Sequence, residues 1–270
     1  MSQIPRNVFR ENIRLAWDLA CRDLSAKYRR SALGWVWLIL TPLCLLGIYS
    51  LVFGGIFRIE WTLPHHLNGT VGVGFALPFF VGLSVYLALS DVVNSSTVLF
   101  ADKRTYVVKS PFPLWVLWLA NLLRAAVHAG VALLLVLTLA MFQQRLTFFG
   151  LGWMAIGLFC SGVFASGLSL LLAALGPFLG DVSEAFRLLL RVLFYATPIT
   201  YPMTLVPQPY RDWMWLNPLT SMVELLREPI VFSQMLPLYV VGIFFTSSLL
   251  LLGVALWVFQ RVKGVISDVV

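Results

Sequence analysis

Charge is what this sequence has least of. Of its 270 residues, 11% are Asp, Glu, Lys or Arg, where a soluble domain carries about 25%. Hydrophobic residues make up 60%, and several uncharged windows exceed the ~20 residues that cross a bilayer. A water-soluble fold is excluded, because no domain of this size buries so much apolar surface. Cysteine is scarce too. Cys21, Cys44 and Cys160 are too scattered for a disulfide framework or a metal-ligand spacing, so reduced thiols are expected. No G-x-x-x-x-G-K-[ST] phosphate loop occurs, which excludes ATP hydrolysis by that route. H-E-x-x-H and G-x-S-x-G are absent as well. No catalytic, metal or cofactor residue is therefore assigned. His65 and His66 adjoin Pro64 with only Glu60 nearby, which reads as a surface turn. A formal net charge of +7 would suggest nucleic acid in a soluble protein. Here it marks the cytoplasmic side of a membrane protein, and no nucleic-acid partner is expected.

What is present is a set of apolar runs. The pattern predicts an all-α integral membrane protein with six spans, at about 33–57, 75–100, 113–142, 148–175, 185–203 and 236–259. Residues 1–30 form a separate leader and 31–270 the membrane domain. The first long run begins only after residue 30, too late for a signal-peptide core, so the first span is expected to be retained. Basic residues crowd one set of flanks: Arg6, Arg10, Arg14, Arg22, Lys27, Arg29 and Arg30 in the leader, then Lys103, Arg104 and Lys109, then Arg187 and Arg191, then Arg261 and Lys263. Both termini are therefore expected in the cytoplasm.

The leader reads as an amphipathic helix. Ile13, Trp17, Ala20, Leu24 and Tyr28 recur at three- and four-residue steps, and Arg10, Arg14, Asp18 and Arg22 fill another face. Such a helix lies in the membrane interface; it serves as an anchor, or it also meets a cytoplasmic partner. Residues 204–234 are too broken by proline for a span and too apolar for a free loop. Short re-entrant helices in the outer leaflet fit, with Trp213 and Trp215 at the interface. In span four, Gly157, Ser161, Ala165, Ser169 and Ala173 form a small-residue stripe, the pattern of close helix packing.

Ionisable side chains inside a membrane are functional candidates. Asn121, Arg124 and His128 share one face of span three, where they would meet an anionic substrate unless Arg124 pairs with Asp91. Aromatic faces stack on sugar rings, so Trp35, Tyr49, Tyr86, Tyr195 and Tyr201 join Asp91 and Arg124 as candidate conduit residues. Belt and packing roles are the plainer alternative for the aromatics.

Four stretches, in this order, carry a resemblance: RDLSAKYRRSALGWVWLILTPL, ADKRTYVVKSPFPLWVL, GDVSEAFRLLLRVLFYATPITYP and WLNPLTSMVELLRE. The chain resembles the ABC-2-type permease subunits that export O-antigen, capsule and teichoic-acid polysaccharides. One departure is Gly180, where the family carries Arg before the Asp, here Asp181. The resemblance implies a homodimer with two copies of a cytoplasmic ABC ATPase, which alone would hold ATP and Mg. It implies a polyprenyl-diphosphate-linked polysaccharide as cargo. It assigns coupling to the ATPase to Asp102, Lys103, Arg104 and Asp181. It makes Arg22, Lys27, Tyr28, Arg29 and Arg30 a gate and interface helix. Three other classes remain open: a small-molecule exporter of the same superfamily, a membrane-bound glycan-modifying transferase using Asp91, Glu224 or Glu228, and a passive channel.

Overall fold

A computed structural model of the chain describes residues 6–29, 31–59, 61, 73–109 and 112–269. The expected surface turn at His65 and His66 lies outside these residues, as does Arg30. Among the described residues all regular structure is helical. Helix α1 (Arg6–Arg29) precedes α2 (Trp37–Tyr49), which runs on into a π-helical stretch, Ser50–Ile56. Then follow α3 (Val73–Thr97), the short α4 (Leu99–Asp102) and α5 (Arg104–Lys109), and the hairpin of α6 (Leu114–Phe142) and α7 (Phe148–Leu175). The chain continues with α8 (Val182–Ala196), α9 (Tyr210–Met214), α10 (Pro218–Arg227), α11 (Leu238–Val262) and α12 (Ile266–Val269). Among the described residues five segments are long and apolar enough to cross a membrane: Gly34–Ile56, Gly74–Thr97, Leu114–Phe142, Phe148–Leu175 and Leu238–Val262.

The helix boundaries have local causes. Pro113 and Pro237 stand in extended conformation directly before α6 and α11. Thr147 caps α7 by accepting from the Gly150 N–H at 3.0 Å, which satisfies one of the free donors of the first turn. Asn217 does the same for α10, accepting from Leu219 N–H at 3.0 Å, and Pro218 follows at the first helical position.

Helix α8 departs from the predicted span 185–203. It has 15 residues, about 22 Å of helix at 1.5 Å per residue. Pro198 is the reason. Its ring pushes the preceding residue out of the helical region, and Thr197 sits at φ −105°, ψ 141°.

Helix α3 is the central post, packed against α6, α7, α8 and α10. Helices α7 and α11 run side by side in the same direction. Phe159 meets Phe245 with ring centres 6.0 Å apart, and further along, a side chain on Gly167 would sit 2.9 Å from the Leu252 nitrogen. Two residues of the small-residue stripe, Gly157 and Ser169, serve contacts inside the protomer. Gly157 lies against the α10 backbone at Leu225, and Ser169 hydrogen-bonds Ser96 of α3 at 2.7 Å. One core gathers Ala16 and Leu19 of α1, Phe100, Val107, Val116, Ala173, Ala255, Phe259 and Ile266. The first and last helices therefore meet at one end of the molecule, with α4 and α5.

The amphipathic reading of α1 needs one correction. Ala16, Leu19, Ala20, Leu24 and Tyr28 are buried, while Ile13 and Trp17 are exposed. The apolar stripe is split between the protein and its surroundings. In α10 every residue from Leu219 to Arg227 is buried, because α3 and α7 enclose it.

Candidate coupling and translocation site

At the end where the termini meet, α1 and the α4–α5 turn are joined. The Lys103 ammonium donates to Asp23 Oδ1 at 2.5 Å, with both side chains about a quarter exposed. Arg22 donates to the Tyr106 hydroxyl and lies over that ring, 5.7 Å from its centre. Two of the predicted interface residues, Arg22 and Lys103, are thus fixed against each other's element. Asp102 and Arg104 flank Lys103 with exposed side chains, and Asp181 is exposed at the start of α8. Lys27 and Arg29 are exposed on α1. Among the described residues these exposed charges form no ion pair, while Lys103 beside them is held to α1. Asp23 and Tyr106 went unassigned in the sequence because their partners stand about 80 positions away.

Tyr28, at the inner end of α1, reaches into the helix bundle. Its hydroxyl and His128 Nε2 are 3.0 Å apart. Burial first, then the nearby Asp91 carboxylate, push the phenol above its ordinary pKa. It therefore stays a neutral hydrogen-bonding group. Behind it, Arg124 pairs with Asp91 at 3.1 Å and donates to Asn121 Oδ1 at 3.3 Å. His128 Nδ1 is 3.6 Å from the same carboxylate. Asn121 donates onward to Ser96 at 3.1 Å. Arg124 and Asp91, both candidates for substrate contact, are each other's counterion.

The candidate aromatics divide into two places. Trp35 is 51% exposed at the start of the first long segment, its ring 5.3 Å from Tyr28. Tyr49 and Tyr86 meet around Phe194 of α8, with ring centres 5.9 and 4.8 Å from it. Tyr195 is 71% exposed beside them, and the Tyr201 hydroxyl donates to the Tyr195 carbonyl at 3.1 Å. Four of the five aromatics thus gather at the far end of α8, away from the charged surface. In Gly34–Ile56 only Pro42 and Gly54 are buried. On α8, Arg187, Leu188, Arg191, Val192 and Tyr195 form an exposed face.

Next to this face lies a buried ion pair. Arg227 is fully buried; its Nη1 donates to Glu224 Oε1 and to the Pro198 carbonyl, both at 2.7 Å, and its Nε donates to the Pro78 carbonyl at 3.0 Å. Trp61 covers the guanidinium at 4.6 Å. One side chain of α10 therefore clasps α3 and the turn that ends α8. The sequence signal was the Asn-Pro start of α10 followed by an i, i+3 acid–base pair in an apolar stretch.

Among the described residues no cluster of His, Cys, Asp and Glu fits a metal. These features define a multi-pass helical membrane protein with charged side chains exposed at one end and an uncovered face along Gly34–Ile56 and α8. Comparison with known proteins gives the family. Residues 14–231 match the profile described as ABC-2 type transporter, and the chain belongs to that family. It is 24% identical over 246 residues to the O-antigen export system permease protein RfbA of Klebsiella pneumoniae, covering 90% of this chain and 89% of that one. The Myxococcus xanthus protein of the same name is 27% identical over 208 residues, covering 76% of each. The polysialic acid transport protein KpsM of Escherichia coli is 23% identical over 214 residues, covering 79% of this chain and 80% of its own.

Proposed function

We propose that the chain is the membrane subunit of an ATP-driven exporter that moves a lipid-linked polysaccharide, of the O-antigen kind, out across the inner membrane. It works as a homodimer carrying two copies of a separate ABC ATPase, and it holds no nucleotide itself. Helix α8 is the fifth of six crossings. Helix α7 ends at the charged end and α11, parallel to it, starts at the opposite end, which supports one further crossing between them. The six crossings put both termini on one side, and the excess of Lys and Arg there makes that side cytoplasmic. Exposed Ile13 and Trp17 support a position of α1 in the membrane interface. The segment holding α9 and α10 enters the bilayer from the outside, sheltered by α3 and α7.

The observation that carries the reading is the connection from surface to interior through α1. The Asp23–Lys103 pair ties α1 to the α4–α5 turn, and Tyr28, five residues on, ties it to His128 and Asp91 among the spans. ATPase closure against Asp102, Lys103, Arg104 and Asp181 then moves α1 and the α6 end together. The exposed α8 faces of two copies, with Gly34–Ile56, part to pass the glycan. The anionic diphosphate is drawn by the basic surface around Lys27 and Arg29. The names of the relatives support polysaccharide as cargo.

The test is reconstitution of the chain in proteoliposomes with and without its ATPase. Translocation of lipid-linked polymer is expected only with the ATPase and ATP. Transfer that persists without nucleotide, or an ATPase that never binds, removes the reading.

A further inference from the structure

We propose that the cleft between α6 and α7 holds one acyl chain of a membrane phospholipid as a resident ligand. The inference needs only the bilayer around the protein and stands apart from the cargo and the ATPase. Helices α6 and α7 are consecutive and joined by a tight turn, yet along their length both lean on α3 and touch each other little. The wedge they leave has a volume of about 400 Å³. Its walls are small: Ala125, Ala129 and Gly130 from α6, and Ser161, Gly162 and Ala165 from α7. Helix α3 forms the floor, and Leu226 and Ile230 close one end.

Four occupants are conceivable, and three fail. An empty void costs stability in proportion to its volume, and one this large is untenable when lipid stands at its mouth. Water fails because it needs two to four polar partners. The lining hydroxyls of Ser84 and Ser166 already donate to Phe80 and Gly162 carbonyls, each at 2.7 Å. Only Ser161 Oγ is free among them. A helix of a second copy fails on place: the face that the proposed dimer would cover is α8 with Gly34–Ile56, and the cleft belongs to α6 and α7. The cleft runs along α6 from Leu122 to Val136, about 20 Å at 1.5 Å per residue. A hydrocarbon chain fits. The mouth, at Ala126 and Gly162, is exposed, so the chain enters sideways from the bilayer. An unbranched acyl chain threads such a slot, and it is what the bilayer supplies in excess.

Gly130 and Gly162 allow a direct test. A Cβ on either would meet no atom within 4 Å, so Gly130→Leu and Gly162→Leu grow into the cleft without a backbone clash. The full chain is reconstituted in phosphatidylethanolamine vesicles carrying a trace of the same lipid with a photoactivatable acyl chain. After illumination, labelled peptides are mapped by mass spectrometry. Labelling is expected to concentrate in 122–136 and 158–166. It is expected to fall at least about fivefold in the double variant, the ratio that about 1 kcal/mol gives. Ala129→Phe plays the same part if the pair does not fold. Gly253→Leu, on α11 with equally open space, leaves the labelling unchanged. Label spread evenly over the lipid-facing helices overturns the proposal, as does label indifferent to filling. A polyprenyl phosphate that displaces the phospholipid label, or a disulfide joining Ala126→Cys of two copies, overturns it equally.

Discussion

Arg227 is a fully buried cation whose partners come from three elements, and its neighbours show what that demands. A Cβ at Gly82 would lie 2.5 Å from Arg227 Nη2. Gly82→Ala therefore forces the guanidinium to shift, and overpacking of this kind costs about 1–3 kcal/mol. Removing the charge costs more. Arg227→Met leaves Glu224 buried beside no cation, a loss of about 3–5 kcal/mol. Adding Glu224→Gln to Arg227→Met neutralises the orphan and is expected to recover part of that. Thermal unfolding in detergent ranks the three variants, and a double variant no better than Arg227→Met removes the pairing argument. At the surface, the Asp23–Lys103 pair, with each side chain about a quarter exposed, is worth only about 0.2–1 kcal/mol to stability. Its reversal therefore tests coupling without unfolding. Asp23→Lys alone is expected to uncouple ATP hydrolysis from transport, and Asp23→Lys with Lys103→Asp to restore it. A double variant as uncoupled as the single one, measured in proteoliposomes, denies the pair a coupling role.

At the scale of elements, Asn217 joins two helices. Its carbonyl oxygen caps α10, and its amide donates to Thr197 Oγ1 at 2.8 Å, binding α10 to the end of α8. Asn217→Ala loses both and is expected to cost about 1–2 kcal/mol; Asn217→Asp keeps the cap, loses the donor and falls between. Equal melting temperatures for the two variants contradict this division. The same region marks the boundary of what the sequence discloses. The five long apolar segments were legible because bilayer length is written into uninterrupted runs. The end of α8 was misplaced because apolar residues continue past Pro198, and the proline's restriction on Thr197 was the signal that counted. Which side of α1 turns inward was half legible. Hydrophobicity distinguishes water from everything else, and Ile13, exposed, reads the same as Leu24, buried against protein. The candidate aromatics were found by type, but their gathering around Phe194 depends on how α2, α3 and α8 pack. Lys103 was visible as a basic loop residue, and its partner Asp23 was not, since one sequence records no pairing across 80 positions.

For the whole molecule, the uncovered face decides the assembly. Leu188 is 62% and Val192 56% exposed on α8, on the side that also presents Arg187 and Arg191. Arginines along a helix at membrane depth are expensive toward lipid and are tolerated facing an interior or an aqueous path. In the proposed homodimer a second copy on this face would supply such an interior, and the same contact would cover Gly34–Ile56. Helix α6 offers the contrast. Leu134 is 63% exposed with no charged neighbour on its turn, as a lipid-facing position should be. With Cys21, Cys44 and Cys160 replaced by alanine, Val192→Cys is expected to form a disulfide-linked dimer in native membranes on mild oxidation, and Leu134→Cys is not. ATP with the ATPase present is expected to change the rate of the Val192→Cys cross-link, as the proposed parting of the two α8 faces requires. Cross-linking at Leu134→Cys in preference to Val192→Cys would place the two-fold axis on the other side of the protomer, and the exposed α8 face would then be no part of the path.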